Sequence, residues 1–286
     1  MKVKVIAGIV GIFVAAGAIF LLHTLVPVII LAGFAGIGAY ELLKSLKVKS
    51  KRLTAISVLF AAAVPFLAAY YSSLPSQLIG VLTVLPFLIF LLVMLSDFRK
   101  ISLVQTLAGL AGGVLIPLGL SSLVLLRDLR PVYDIEQVEY NEKWNLFWVI
   151  FGLLCCWSTD IFAYLVGKAT GGKHKMSPNV SPNKSWEGAI GGVVITALLN
   201  GALWFLFSKF EWFGGFEPPL YFVLLLSPVL SVLGILGDLT FSAIKRQSDI
   251  KDFGNLIPGH GGALDRFDSY LFVFPTLWAV LWSLYT

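Results

Sequence analysis

PLYFVLLLSPVLSVLGILGDLTFSAIK, residues 219–245, is an apolar run whose character changes in its last two turns. A helix needs about 20 residues to cross a bilayer, and this run is longer. Its far end therefore emerges at a membrane surface. Asp238, Ser242 and Lys245 stand there at i, i+4 and i+7, along one helix face. Outward from this segment the same composition continues: of 286 residues, 58% are hydrophobic and 13% charged. These proportions predict a polytopic membrane protein. The predominantly polar stretches are too short to hide a soluble domain.

Runs of crossing length stand at 4–22, 25–43, 53–71, 77–96, 102–126, 144–167, 187–208, 219–245 and 266–285, so the expected fold is all-α with about nine transmembrane helices. With the N-terminus cytoplasmic and the C-terminus outside, 17 of the 21 Lys and Arg residues fall on the inner side, as the positive-inside rule requires. Residues 1–126 then form N-terminal scaffold helices, 127–143 an acid-rich outer loop, and 144–286 the region that carries chemistry. Lys2 and Lys4 before an apolar run resemble a signal peptide, but the run is long for one and its retention balances the charges. The basic loop Lys44 to Arg52 reads as a topology signal in contact with anionic lipid, and no nucleic-acid partner is expected. Cys155 and Cys156 are neighbours within one span, cannot form an ordinary disulfide, and read as small packing residues.

Spans one to five carry no defensible motif and read as scaffold and lipid-facing wall. From Trp157 onward polar groups gather. Asp160 lies roughly 24 Å from the outer end of its span, close to the inner interface. With Tyr164 and Lys168 it forms an i, i+4, i+8 series, open to a structural ion pair or a site. In the loop that follows, Ser-Pro-Asn occurs twice, which forbids helix. Ser185 is placed to cap the next helix, and a helix N-terminus beside Lys184 suits a phosphate. Pro178 and Asn183 stand where a Walker-type loop would need glycine, which excludes that class.

Asp265 and Asp268 stand at i, i+3 where the last span begins, matching Asp238 in depth, and two such acidic helix ends could share divalent cations. Hard oxygen ligands suit Mg²⁺, held by one or two carboxylates with water and substrate phosphates completing its shell. Between them lie Lys245, Arg246, Lys251 and Arg266, together with Gly259-His260-Gly261-Gly262, whose backbone can turn amides toward an anion. Carboxylates, cations and a glycine turn are the parts that phosphoryl or nucleotidyl transfer needs.

These residues resemble the signature of the phosphatidate cytidylyltransferase (CDP-diacylglycerol synthase) family: Ser242, Ile244, Lys245-Arg246, Lys251-Asp252, His260-Gly261-Gly262 and Asp265-Arg266-Phe267-Asp268. A second block, Asp160 with Ala163-Tyr164 and then Ser181-Pro182-Asn183-Lys184-Ser185-Trp186-Glu187-Gly188, extends the resemblance over residues 157–268. Ala263, Asn183 and Ser185 depart from the usual bulkier aliphatic, Gly and Thr without removing a charge. The resemblance implies a multi-pass enzyme of the inner (cytoplasmic) membrane with its site facing the cytoplasm. Its substrates would be CTP and phosphatidic acid, its products CDP-diacylglycerol and pyrophosphate.

The resemblance further implies Mg²⁺ with a second cation, a monovalent ion among the candidates, and a homodimer surrounded by membrane lipid. By motif, Asp238 and Asp265 would bind metal. Lys245, Arg246, Lys251, Asp252, His260 and Arg266 would complete the catalytic set. Asp160, Lys168, Asn183, Lys184, Ser185, Glu187, Ser242, Gly261, Gly262 and Asp268 would line the substrate site. His260 reads as a hydrogen-bond donor or loop-ordering residue in preference to a proton carrier. The rivals are a CTP-dependent lipid kinase of the dolichol or phytol type, which would release CDP, and a transporter. The confinement of polar groups to one half and one membrane face disfavours transport.

Overall fold

A computed structural model describes residues 21–129, 143–213, 217–256 and 261–285. Its helices are α1 (Val26–Ser45), α2 (Lys51–Ala69), α3 (Ser76–Ser96), α4 (Leu103–Arg127), α5 (Lys143–Ala169), α6 (Trp186–Lys209), α7 (Leu220–Gln247), α8 (Leu264–Phe267) and α9 (Tyr270–Tyr285). Among the described residues, seven helices are long and apolar enough to cross a membrane, and α9 is a shorter apolar helix. The protein is an all-α polytopic membrane protein. The expected span 4–22, apart from its last two residues, and nearly all of the loop 127–143 lie outside the described residues. The proline-interrupted segment between α5 and α6 forms a small antiparallel hairpin, β1 (Lys175–Ser177) with β2 (Ser181–Ser185).

The chain divides into two compact units, Met1–Leu125 with Gln247–Phe267, and Leu126–Arg246 with Asp268–Thr286. In the first, α1 pairs with α2, and both meet α4 where its regular helix widens into a π turn at Ala111–Leu115. A Cβ on Gly112 would stand 2.8 Å from Leu43, and one on Gly113 would stand 3.0 Å from the Ser57 backbone. The glycines of this run serve close helix approach. Leu43, Leu53, Phe90 and Ile101 form the buried core beneath them. Along α3, Val81, Val84, Phe87, Leu88, Leu91, Leu92 and Leu95 are exposed, the pattern of a lipid-facing helix.

In the second unit glycines on α6 let α5 pack closely along it. A Cβ on Gly188 would meet the Ala163 carbonyl at 2.4 Å, and one on Gly192 the Thr159 carbonyl at 2.7 Å. Polar side chains join the helices: Ser158 Oγ lies 2.7 Å and Thr159 Oγ1 3.0 Å from Thr196 Oγ1. Asn200 donates to Ser227 Oγ at 2.8 Å and to Cys155 Sγ at 3.3 Å, which ties α5, α6 and α7 together. Such bonds contribute about 0.6 kcal/mol each in a bilayer. Both cysteines are buried and free, Cys155 with this additional polar role. Nearer the other end, Phe147, Trp148, Phe151, Phe207 and Phe213 interlock mostly edge to face. Gly192→Val is expected to lower the unfolding midpoint in detergent, because overpacking of this kind costs about 1–3 kcal/mol. An unchanged midpoint would contradict the close α5–α6 approach.

One expectation is corrected. Asp265 and Asp268 do not share one continuous helix at the start of the last span. Asp265 is on α8, Asp268 and Ser269 form a turn, and α9 begins at Tyr270. The Asp268 carboxylate accepts the Ser269 N–H at 2.8 Å, a local bond that competes with helix continuation.

Candidate active site

The second unit gathers the acidic part of the motif. Helix α7 carries Asp238, Ser242 and Lys245 on one face, and Ser242 Oγ donates to Asp238 Oδ1 at 3.2 Å. Lys184, on β2, brings Nζ to 2.5 Å from Asp238 Oδ2. The contact is an ion pair between two mostly shielded groups. Asp160 on α5 and Asp268 are close enough to Asp238 for the three carboxylates to repel one another, against the attraction of Lys184 and the buried Lys245.

The approach of α7 to Asp268 requires glycine: a Cβ on Gly237 would fall 2.6 Å from the Asp268 carbonyl oxygen and 2.9 Å from Phe272. Gly237→Val is expected to push Asp268 away from Asp238 and to cost turnover more than folding. Kinetics set beside the unfolding midpoint would check this, and wild-type turnover would contradict it.

The hairpin is latched to the start of α6. Glu187 Oε1 accepts the His174 backbone N–H at 3.1 Å and lies 2.6 Å from His174 Nδ1, while the Trp186 N–H donates to the His174 carbonyl. Ser185 caps α6 by accepting the Gly188 N–H at 3.2 Å, as its position in the sequence predicted. At the hairpin turn, Arg246 Nε donates to the Val180 carbonyl, joining the end of α7 to this loop. Asn183 and Lys168 are exposed. Glu187, expected in the substrate site, thus has a described role in holding the hairpin that presents Lys184.

The first unit holds the glycine loop. Lys251, Asp252 and Arg266 are exposed, and His260 lies outside the described residues with Pro258 and Gly259. Gly261 has φ of +84°, which disfavours any side chain, and a Cβ there would also meet Asp265 Oδ2 at 2.8 Å. Asp265 Oδ2 accepts the N–H of Gly262 and that of Phe253, each at 2.9 Å. The amides of Phe253 and Gly262 thus meet at one oxygen of the Asp265 carboxylate.

A residue of the N-terminal spans also belongs to this constellation. Glu41 on α1, 5% exposed, accepts the N–H of Ala263 with Oε1 at 3.0 Å and that of Leu264 with Oε2 at 3.1 Å. The reading of spans one to five as scaffold and wall passed over it. The available signal was a lone carboxylate in an apolar segment, which by default marks a functional site.

Among the described residues, no group of three or more His, Cys, Asp or Glu side chains makes a ready cage for a metal ion. The donors present are hard carboxylate oxygens, with three acids opposed by two lysines in the second unit. That set fits Mg²⁺, which uses one or two carboxylates and takes its remaining ligands from water and phosphate.

The chain matches the cytidylyltransferase family over residues 2–284 and belongs to that family. It is 44% identical over 149 residues to a phosphatidate cytidylyltransferase of Bacillus subtilis (strain 168), covering 52% of each chain. Proteins of the same name from Staphylococcus haemolyticus (strain JCSC1435) and Staphylococcus aureus (strain COL) are each 42% identical over 133 residues, covering 46% of this chain and 48% of theirs. The chain thus spans about half the length of the curated relatives it matches.

Proposed function

We propose that this membrane protein condenses CTP with phosphatidic acid to give CDP-diacylglycerol and pyrophosphate, on the cytoplasmic side of the inner membrane. The observation that carries the reading is the acid and lysine constellation of α7 and β2, in a chain of the cytidylyltransferase family whose named relatives are phosphatidate cytidylyltransferases. In this reaction a phosphate oxygen of phosphatidic acid forms a bond to the α-phosphorus of CTP, and the bond from that phosphorus to the pyrophosphate oxygen breaks. A phosphate monoester has its second pKa near 6, so the nucleophile is already an oxyanion and no strong general base is needed. The difficulty is to align two anions and neutralise them.

Lys184 and Lys245 are the cations within the acidic constellation, and Arg246 stands at the end of the same helix. The amides at the start of α6, beside Lys184, suit a phosphate group. Lys251 on the loop and Arg266 on α8 are exposed, and both are cations that phosphates arriving from water can meet. Mg²⁺, for which Asp238 and Asp265 are the carboxylates assigned by motif, would supply the remaining charge neutralisation together with a second cation. The lipid substrate arrives from the bilayer and CTP from the cytoplasm, and the working form is a homodimer embedded in membrane lipid.

Product analysis tests the reading. Purified protein given labelled CTP, Mg²⁺ and phosphatidic acid is expected to release pyrophosphate and form CDP-diacylglycerol. Release of CDP in its place would indicate the lipid-kinase chemistry and sink the proposal.

A further inference from the structure

Helix α1 turns one face toward the segment that leads into Asp265. Phe34, Gly38 and Glu41 stand at i, i+4 and i+7 on that face. Phe34 packs on Phe267 with ring centroids 4.9 Å apart, and a Cβ on Gly38 would lie 3.2 Å from the Leu264 side chain. Glu41 closes the set by accepting the N–H groups of Ala263 and Leu264 with its two oxygens. These contacts join residues separated by more than 220 positions in the chain.

The loop is shaped to admit the carboxylate. Cβ atoms on Gly254 and Gly262 would lie 2.1 Å and 2.3 Å from Glu41 Oε1. The side chain is held by two hydrogen bonds and cannot yield without losing them, so both positions require glycine. Gly262 also donates its own N–H to Asp265. Glu41 and Asp265 therefore hold consecutive amides of one short stretch, Asp265 that of Gly262 and Glu41 those of Ala263 and Leu264. Glu41 is buried, and its described partners are amides, which suits it to hold the loop and not to meet substrate.

We infer that Glu41 is a positioning residue for Asp265: it clamps the backbone at 262–264 and so sets where the Asp265 carboxylate is presented. The inference rests on the reading above, in which Asp265 serves the transfer reaction. Glu41→Gln keeps the volume and one acceptor oxygen but replaces the other with a donor that cannot receive an amide. Turnover is expected to fall by about tenfold to a hundredfold, the range for losing a residue that orients a metal-binding carboxylate. KM for both substrates should stay within about twofold, because the lost interaction does not touch them. Gly262→Ala, which leaves Glu41 in place but crowds it, should show the same split. The double variant should fall short of the product of the two losses, since both act on one contact.

Amide exchange provides a readout without substrate. In Glu41→Gln, exchange of residues 261–265 should accelerate by about tenfold while that of α5, α6 and α7 stays unchanged. Wild-type turnover in Glu41→Gln would overturn the inference. So would exchange that rises throughout the chain with a collapsed unfolding midpoint, which would make Glu41 a general structural residue. Failure of the activity reading is seen separately, as absence of CDP-diacylglycerol formation by the unaltered chain before any variant is compared.

Discussion

Asp238→Asn is expected to reduce turnover at least about a thousandfold, equivalent to some 4 kcal/mol of lost transition-state stabilisation. The substitution conserves shape, and Asn can still accept from Ser242, so the fold of α7 should survive. What disappears is one negative charge at the centre of the acidic constellation. Lys184, now 2.5 Å from Asp238 Oδ2, would lose its closest counter-charge. Asp265→Asn should bring a comparable loss by removing the other carboxylate assigned to Mg²⁺. Rates of pyrophosphate release, set beside unfolding midpoints in detergent, check both. Substantial activity in either variant would remove the metal assignment from that residue.

Lys184→Met is the second large effect. Lys184 and Asp238 are both mostly shielded, at 21% and 24% exposure, so their attraction is only partly screened by water. Removing the cation leaves Asp160, Asp238 and Asp268 with one opposing charge fewer, Lys245 remaining. Truncating one partner of a shielded charge pair costs about 2–5 kcal/mol. We expect turnover to drop by more than about a hundredfold, with a lowered unfolding midpoint. Combining Lys184→Met with Asp238→Asn should recover part of that midpoint, because the second change removes the uncompensated charge. A double variant no more stable than Lys184→Met would show that the pair does not interact as its geometry indicates.

The membrane helices were legible because crossing a bilayer imposes a length and an apolarity that no short-range context overrides. Each expected run among the described residues is a helix, with ends displaced by at most a few residues except in the last span. There a helical spacing of three made Asp265 and Asp268 look like neighbours on one face. Spacing assumes continuity, and the bond from the Ser269 amide to Asp268 breaks it. The hairpin at 175–185 was legible as non-helical from its prolines, but not as a hairpin. Its latch depends on Glu187 reaching back to His174, thirteen positions earlier.

Much of the candidate site was readable for a related reason. Charged side chains are costly near a bilayer, so Asp160, Lys184, Asp238, Lys245, Asp265 and Asp268 stood out wherever they occurred. Glu41 has the same cost and the same signal. Within α1, however, nothing local distinguishes a carboxylate waiting for solvent at a helix end from one that receives two amides of a distant loop. The glycine at 262 was likewise visible as a flexible position, and Gly254 carried no signal. That they clear space for one particular oxygen was not.

By itself, the sequence determined an all-α membrane protein of the cytidylyltransferase family, because apolar length, charge placement and motif spacing are properties of the chain taken a few residues at a time. The tertiary structure alone decided that the loop 247–267 packs with the N-terminal helices. It also decided that the last span opens with a broken turn and that Glu41 holds the backbone before Asp265. Those outcomes depend on which buried amide finds which acceptor. A buried hydrogen bond is chosen by proximity in the fold, across more than two hundred residues of chain, and leaves no periodicity for the sequence to display.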